Sequence, residues 1–255
     1  MDRVVVDQSD WGQIRTTGGD RLRFLQGMVT NDLAALAPGS FVRAAMLNVK
    51  GRVLAIVDVV ADGESFLVLT EPATADKVFA ILDRHAIADD VTFTREARPI
   101  HRVWATPADV WTAPPIFEPA APHGDAEVRR IEAGLPRYGV DVSEDHFPFE
   151  ANLDTAISYT KGCYTGQEVV ARANARGHAN KRLVGLRLTG GVVAAGTPVT
   201  ADLRPDAGIV TSSVVSPDFG PIALAYLHKS VFAPGTALRA GEIAAVVTAL
   251  PFTTG

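Results

Sequence analysis

The chain has 255 residues, 47% hydrophobic and 21% charged, so it can bury a core and is not disordered throughout. Its 24 basic and 29 acidic residues leave a formal charge of −5, a poor balance for non-specific nucleic-acid binding or for attraction to an anionic membrane. Its single cysteine, Cys163, excludes an intrachain disulfide and any zinc or iron–sulfur site built from this chain's thiolates alone.

In chain order, the first residues, Met1 to Asp7, are too few and too charged for a signal peptide, and no run approaches the ~20 apolar residues of a membrane span. A cytoplasmic protein is expected. Ile14 to Thr16 read as a short strand ending at Gly18-Gly19. Asp20 is a candidate N-cap for a helix whose apolar positions are Leu22, Phe24, Leu25, Met28 and Val29. A strand over Phe41–Leu47, a turn at Asn48-Val49-Lys50-Gly51 and a buried strand over Arg52–Val60 follow. Asp62-Gly63 is a hairpin signal before a strand over Ser65–Thr70. Pro72 suits the first turn of a helix with Ala75, Val78, Phe79 and Leu82 on its apolar face, and Val91–Thr94 alternates as a strand. Strand, hairpin, helix and strand suggest an α+β, ferredoxin-like unit. Five prolines between Pro107 and Pro122 suggest an extended connection, and Asp125–Ala133 a short helix stopped by Gly134 and Pro136. Beyond Lys181, short apolar runs between Gly and Pro turns point to a small β-barrel or sandwich.

The stretch richest in chemistry is Lys161-Gly162-Cys163-Tyr164-Thr165-Gly166-Gln167-Glu168, continuing to Arg172. Glycines flank the thiol, and Gln167–Ala175 is a good helix former, which puts Cys163 on the turn before a helix. Exposed N–H groups and the helix dipole there favour a thiolate, and Lys161 acts in the same direction, so a lowered thiol pKa is expected. The competing reading is a small buried hydrophobe. A cysteine hydrolase would need a histidine base, and none of the six histidines stands in a recognisable protease context.

This segment resembles the signature of the YgfZ folate-binding proteins, relatives of the glycine-cleavage T-protein. Arg23–Asp32, Asn48–Leu54, Gly134–Gly139, Phe147–Leu153 and Asn180–Leu186 resemble further family motifs. The resemblance implies a three-domain ring around a folate pocket: an N-terminal unit over 1–48 and 124–180, a shortened ferredoxin-like middle unit over 49–123, and a barrel over 181–255. It implies tetrahydrofolate or a one-carbon folate as ligand and a role in assembling or maintaining iron–sulfur clusters in client enzymes, with no specific nucleic acid, membrane or metal. On this reading Cys163 acts at the edge of the pocket, supported by Lys161 and Gln167. Gln26, Asn31, Lys50, Arg52, Glu150, Tyr164 and Arg172 are the expected folate-binding residues. The alternative is a folate-dependent aminomethyltransferase. Against it, the T-proteins carry paired acids after the glycine turn where this chain has Ala55 and Ile56, so the catalytic carboxylate is missing; Asp58 is close, but the direction of its side chain is open.

Overall fold

The computed structural model describes residues 4–104, 115–117, 125–175 and 179–253. The chain is α+β. Strands β2 (Gly12–Thr17), β3 (Phe41–Leu47), β4 (Val53–Asp62), β5 (Ser65–Thr70) and β6 (Thr92–Glu96) form an antiparallel sheet of order β3-β4-β5-β2-β6. Helices α1 (Arg21–Met28) and α2 (Ala75–His85) cover one face, where Leu25, Val78 and Leu82 meet Ala55, Val57 and Val59. Period-two alternation sends the intervening residues of β4 to the other face, so Ile56 and Asp58 point away from the helices. This settles the direction of Asp58.

Asp20 begins α1, but not by capping it: its carboxylate instead accepts from the Asp90 amide at 2.9 Å, tying the helix start to the approach to β6. The expected boundary between residues 48 and 49 falls in the turn joining β3 to β4. Those strands are paired from Phe41↔Val60 to Leu47↔Val53, and β2 is hydrogen-bonded to β5 and β6. A division there would cut a continuous ladder, so the first sheet is one unit. It is also why the ferredoxin-like pattern includes strands from before residue 49.

A short ribbon pairs β1 (Val4–Asp7) with β7 (His101–Trp104). Of the proline-rich connection, Pro115–Phe117 is described, with Ile116 bridged to His101; the rest lies outside the described residues. Helix α3 (Ala126–Glu132) follows, its Asp125 cap accepting from the amides of Glu127 and Val128. Helix α4 (Gln167–Ala175) follows the cysteine loop, as expected. The basic residues Arg176 and His178 lie outside the described residues.

Strands β8 (Lys181–Thr189), β9 (Pro198–Ala201), β10 (Arg204–Ser216), β11 (Gly220–His228), β12 (Ala237–Ala240) and β13 (Ile243–Thr248) close into a barrel of order β10-β11-β8-β13-β12-β9. Closure leaves no open sheet edge. The barrel is fastened to α3 by buried polar contacts. Glu132 accepts from Ser216 Oγ at 2.6 Å, and Arg130 donates to Ser212 Oγ at 2.9 Å and to Asp141 at 2.6 Å. Asp141 also accepts from Ser212 Oγ at 2.7 Å and from Thr211 Oγ1.

Candidate ligand cavity

A cavity of about 600 Å³ opens where the helix-free face of the sheet meets the β1–β7 ribbon, α3 and the loop after it. That is within the usual range for a small-molecule site. Ile56 and Asp58 of β4 and Arg43 of β3 form its floor, with Gln8, Trp11 and Trp104 on one side and Arg130, Arg137 and Tyr138 on the other.

The floor is an ion network. Asp58, fully buried, accepts from Arg43 Nε at 2.8 Å and Nη2 at 3.0 Å, its partner across the β3–β4 ladder. It also accepts from Arg102 Nη2 at 2.6 Å, while Arg102 Nε donates to Gln8 Oε1 at 2.8 Å. Burial would raise the Asp58 carboxyl, but the two guanidiniums outweigh it and hold the group below the usual carboxylate range. Asp58 is thus a fixed anion whose oxygens are committed to arginines. The neighbouring wall position is the apolar Ile56.

Glu71, at the end of β5, is placed differently. Burial raises its carboxyl to about 6, partly offset by Arg137 and Arg43. Its Oε2 accepts from the Tyr138 amide at 3.2 Å. Trp104 contributes a second polar handle: its indole N–H is buried and has no hydrogen-bond partner among the described residues. At the rim, Arg137 pairs with Glu127 at 2.7 Å. Neither Glu71 nor Trp104 stands in a motif. The one hint was an acidic side chain ending an apolar strand just before Pro72.

Of the residues singled out from the sequence, Ile56, Asp58 and the 135–139 part of the Gly134–Gly139 motif line this cavity, but none of the expected catalytic or folate-binding residues does. Instead they hold together a second region. Lys161 Nζ donates to the carbonyls of Gln26, Val29 and Asn31, each at 2.8 Å, capping the C-terminal end of α1. Burial lowers its pKa to about 8, so it keeps its proton at neutral pH; that proton set is committed to α1 and not to the thiol. Gln26 donates to Asp32 at 2.6 Å, and Asn31 Nδ2 to the carbonyls of Arg43 and Thr155. Arg52 lies over the Phe147 ring and donates to the Asp145 carbonyl at 2.9 Å, and Glu150 accepts from the Phe147 amide at 2.9 Å. Lys50 is exposed in its turn, Gln167 opens α4, and Arg172 pairs with Glu168 one helical turn away. Tyr164 is buried, which raises its hydroxyl to about 12.

Cys163 is exposed. The reading of it as a buried hydrophobe is therefore overturned; it stands on the loop before α4 and is not among the residues that line the 600 Å³ cavity. That loop is seated by close packing. Gly166 has φ +81°, and a Cβ there would meet the Asn48 carbonyl oxygen at 2.6 Å; a Cβ on Gly51 would meet Val170 at 3.0 Å. The two glycines let the cysteine loop and the 48–51 turn lie backbone to backbone. Among the described residues no group of three or more His, Cys, Asp or Glu is placed to hold a metal ion, and no helix is long and apolar enough to cross a membrane.

Comparisons with known proteins agree with this architecture. Residues 2–102 match the GCVT N-terminal domain, and residues 181–253 match the glycine cleavage T-protein C-terminal barrel domain. The aminomethyltransferase T of the glycine cleavage system from Bartonella henselae has a similar fold, with a TM-score of 0.83 at 22% identity over 98% of this chain and 86% of that one. Among curated relatives, the tRNA-modifying protein YgfZ of Serratia proteamaculans is 28% identical, and that of Yersinia enterocolitica 26%, each match covering 70% of this chain and 69% of the relative. The chain belongs to the glycine-cleavage T-protein family. Within that family it is of the YgfZ type.

Proposed function

We propose that this protein binds tetrahydrofolate, or a one-carbon derivative of it, in the 600 Å³ cavity, and acts as a cytoplasmic accessory protein that supports assembly or maintenance of iron–sulfur clusters in client enzymes. The observation that carries the folate reading is that Glu71 and Trp104, whose buried indole N–H has no partner among the described residues, both line one aromatic-walled cavity. A pterin presents adjacent N–H donors and ring acceptors. Glu71 would accept from the donors, and Trp104 would donate to an acceptor. Trp11 supplies an apolar ring surface, and the Arg137 guanidinium at the rim would meet the carboxylates of the glutamate tail. Bound folate supplies one-carbon carrier chemistry. The chain's own residues bind and orient it, and Ile56 gives the reacting region no general acid or base. This is what favours an accessory role over aminomethyl transfer.

The iron–sulfur part of the proposal rests on the family resemblance and on the exposed thiol. One cysteine cannot hold a cluster, so any contact with one is shared with a client. The relatives' names speak of tRNA modification. With a net charge of −5, this chain is proposed to contribute to such chemistry through client proteins rather than by gripping RNA.

Calorimetry with 5-formyltetrahydrofolate tests the folate reading. The wild-type protein binds, and Glu71→Gln and Trp104→Phe each weaken binding at least tenfold. A folded wild-type protein that takes up no folate refutes the reading. Methylene-tetrahydrofolate formation from an aminomethyl donor would restore the transferase alternative.

A further inference from the structure

A second concavity, about 460 Å³, lies between α2 and the 48–51 turn, away from the folate cavity. Its floor is apolar: Met28, Leu47, Leu54 and Ile81. Met28 and Met46 both line it, and these are the only methionines after Met1. Unbranched thioethers suit a surface that must fit a varied apolar partner. At one lip Val49 is 78% exposed. The other lip is one stripe of α2, with Lys77, Ile81, Arg84 and His85 at helical spacing.

The charge is one-sided. Among the described residues no carboxylate lines the groove, although the chain as a whole is acidic, whereas Lys77, Arg84 and His85 do. Lys77 is engaged with Tyr138 and Glu144, but Arg84 is exposed. His85 Nδ1 donates to the Ile81 carbonyl at 2.7 Å, which leaves Nε2 as the ring atom available to a ligand. Thr165, two residues after Cys163, also lines the groove, so whatever fills it lies beside the thiol loop.

We propose that this groove receives an extended, acidic segment of a partner protein. A large apolar side chain seats against Met28, Leu54 and Ile81, and a neighbouring carboxylate meets Arg84 and His85. The apolar floor and exposed Val49 favour a peptide over a nucleic-acid backbone, which would need a longer stripe of cations and has no use for the floor. The groove thereby selects which protein is presented to the cysteine loop. This proposal does not depend on folate occupancy of the cavity.

The test is to pan a random dodecapeptide display library against the full-length protein, then synthesise the most enriched sequence. The expected consensus has a large aliphatic or aromatic residue within three positions of Asp or Glu. The synthetic peptide should bind at least tenfold more weakly to Arg84→Glu and to Ile81→Asp, and to an intermediate degree to Arg84→Gln. The affinity for 5-formyltetrahydrofolate and the melting temperature of Arg84→Glu should match wild type, which separates failure of the groove from failure of the fold or of the folate reading. The proposal is overturned if no sequence is enriched, if the consensus is basic or purely apolar, if Arg84→Glu leaves peptide affinity unchanged, or if a tRNA fragment displaces the peptide.

Discussion

Around the cavity, polar side chains arrive from strands and loops far apart in sequence and are locked to one another below the surface. Around Cys163, they come largely from recognisable motifs and are spent on backbone carbonyls and amides, holding up a loop whose thiol is exposed. Only the second of these regions carries the family signature. In the cavity, burial is used to tune charge: Asp58 is held ionised by two arginines, while Glu71 is raised to about 6. In the loop, burial is used for placement, and the one buried cation, Lys161, has its protons committed to three carbonyls. A motif dense in recognisable residues can therefore be a mounting bracket, and the proposed folate site is built elsewhere.

This division can be broken by mutation. The largest effect is expected from Asp58→Ala, which removes the buried carboxylate that Arg43 and Arg102 share and should cost about 3–5 kcal/mol in denaturant unfolding. A loss below about 1 kcal/mol would mean that the network is not what holds the cavity floor. Next is Lys161→Met, which keeps the stem but leaves the Gln26, Val29 and Asn31 carbonyls without their donor. It should cost about 2–3 kcal/mol, with faster amide exchange at the α1 end and in the cysteine loop, and with folate affinity little changed. A matching loss of folate affinity would join the two regions into one.

Glu71 gives a smaller effect with a definite sign. Its carboxyl is raised in the folded state, so the native protein holds this proton more tightly than the unfolded chain does. The associated stability is present below the ordinary value of 4.5 and is lost as pH rises through about 6. Glu71→Gln should therefore gain up to about 2 kcal/mol on wild type at pH 8 and little at pH 4, measured by paired melts. A gain independent of pH would show that the carboxyl's burial is not the cause. The smallest effect belongs to Cys163→Ser. An exposed thiol supports nothing in the fold, so stability should stay within about 0.5 kcal/mol of wild type and folate affinity should be unchanged, while activity of iron–sulfur enzymes in cells lacking the native protein should not be rescued.

Much of the fold was legible in the sequence because it is written locally. The Asp62-Gly63 hairpin, the helix after Pro72, the Asp125 cap and the closely spaced turns after Lys181 each act through near neighbours. The sheet's unity across residue 48 was not, because pairing of β2 with β5 and β6 is a long-range event that no local pattern records. The candidate site was read least well. Glu71, Trp104, Arg102 and Gln8 come together only after the sheet and ribbon have formed, and none carries a motif. One clue was present in Asp58, a charge inside the apolar run Leu54–Val60. Such a residue needs a buried counter-charge, and the structure supplies two.

The Asp141 carboxylate has a consequence for how this protein can be cut and recombined. It gathers the guanidinium of Arg130, the amide of Arg137 beside the cavity, and the hydroxyls of Thr211 and Ser212 in the barrel. Cutting the barrel away at its first strand would remove those hydroxyls and open the loop that shapes the cavity rim. The barrel is therefore not a detachable module. A chimaera that borrows one from a relative keeps the shape of the cavity rim only if it brings hydroxyls to the positions of Thr211 and Ser212.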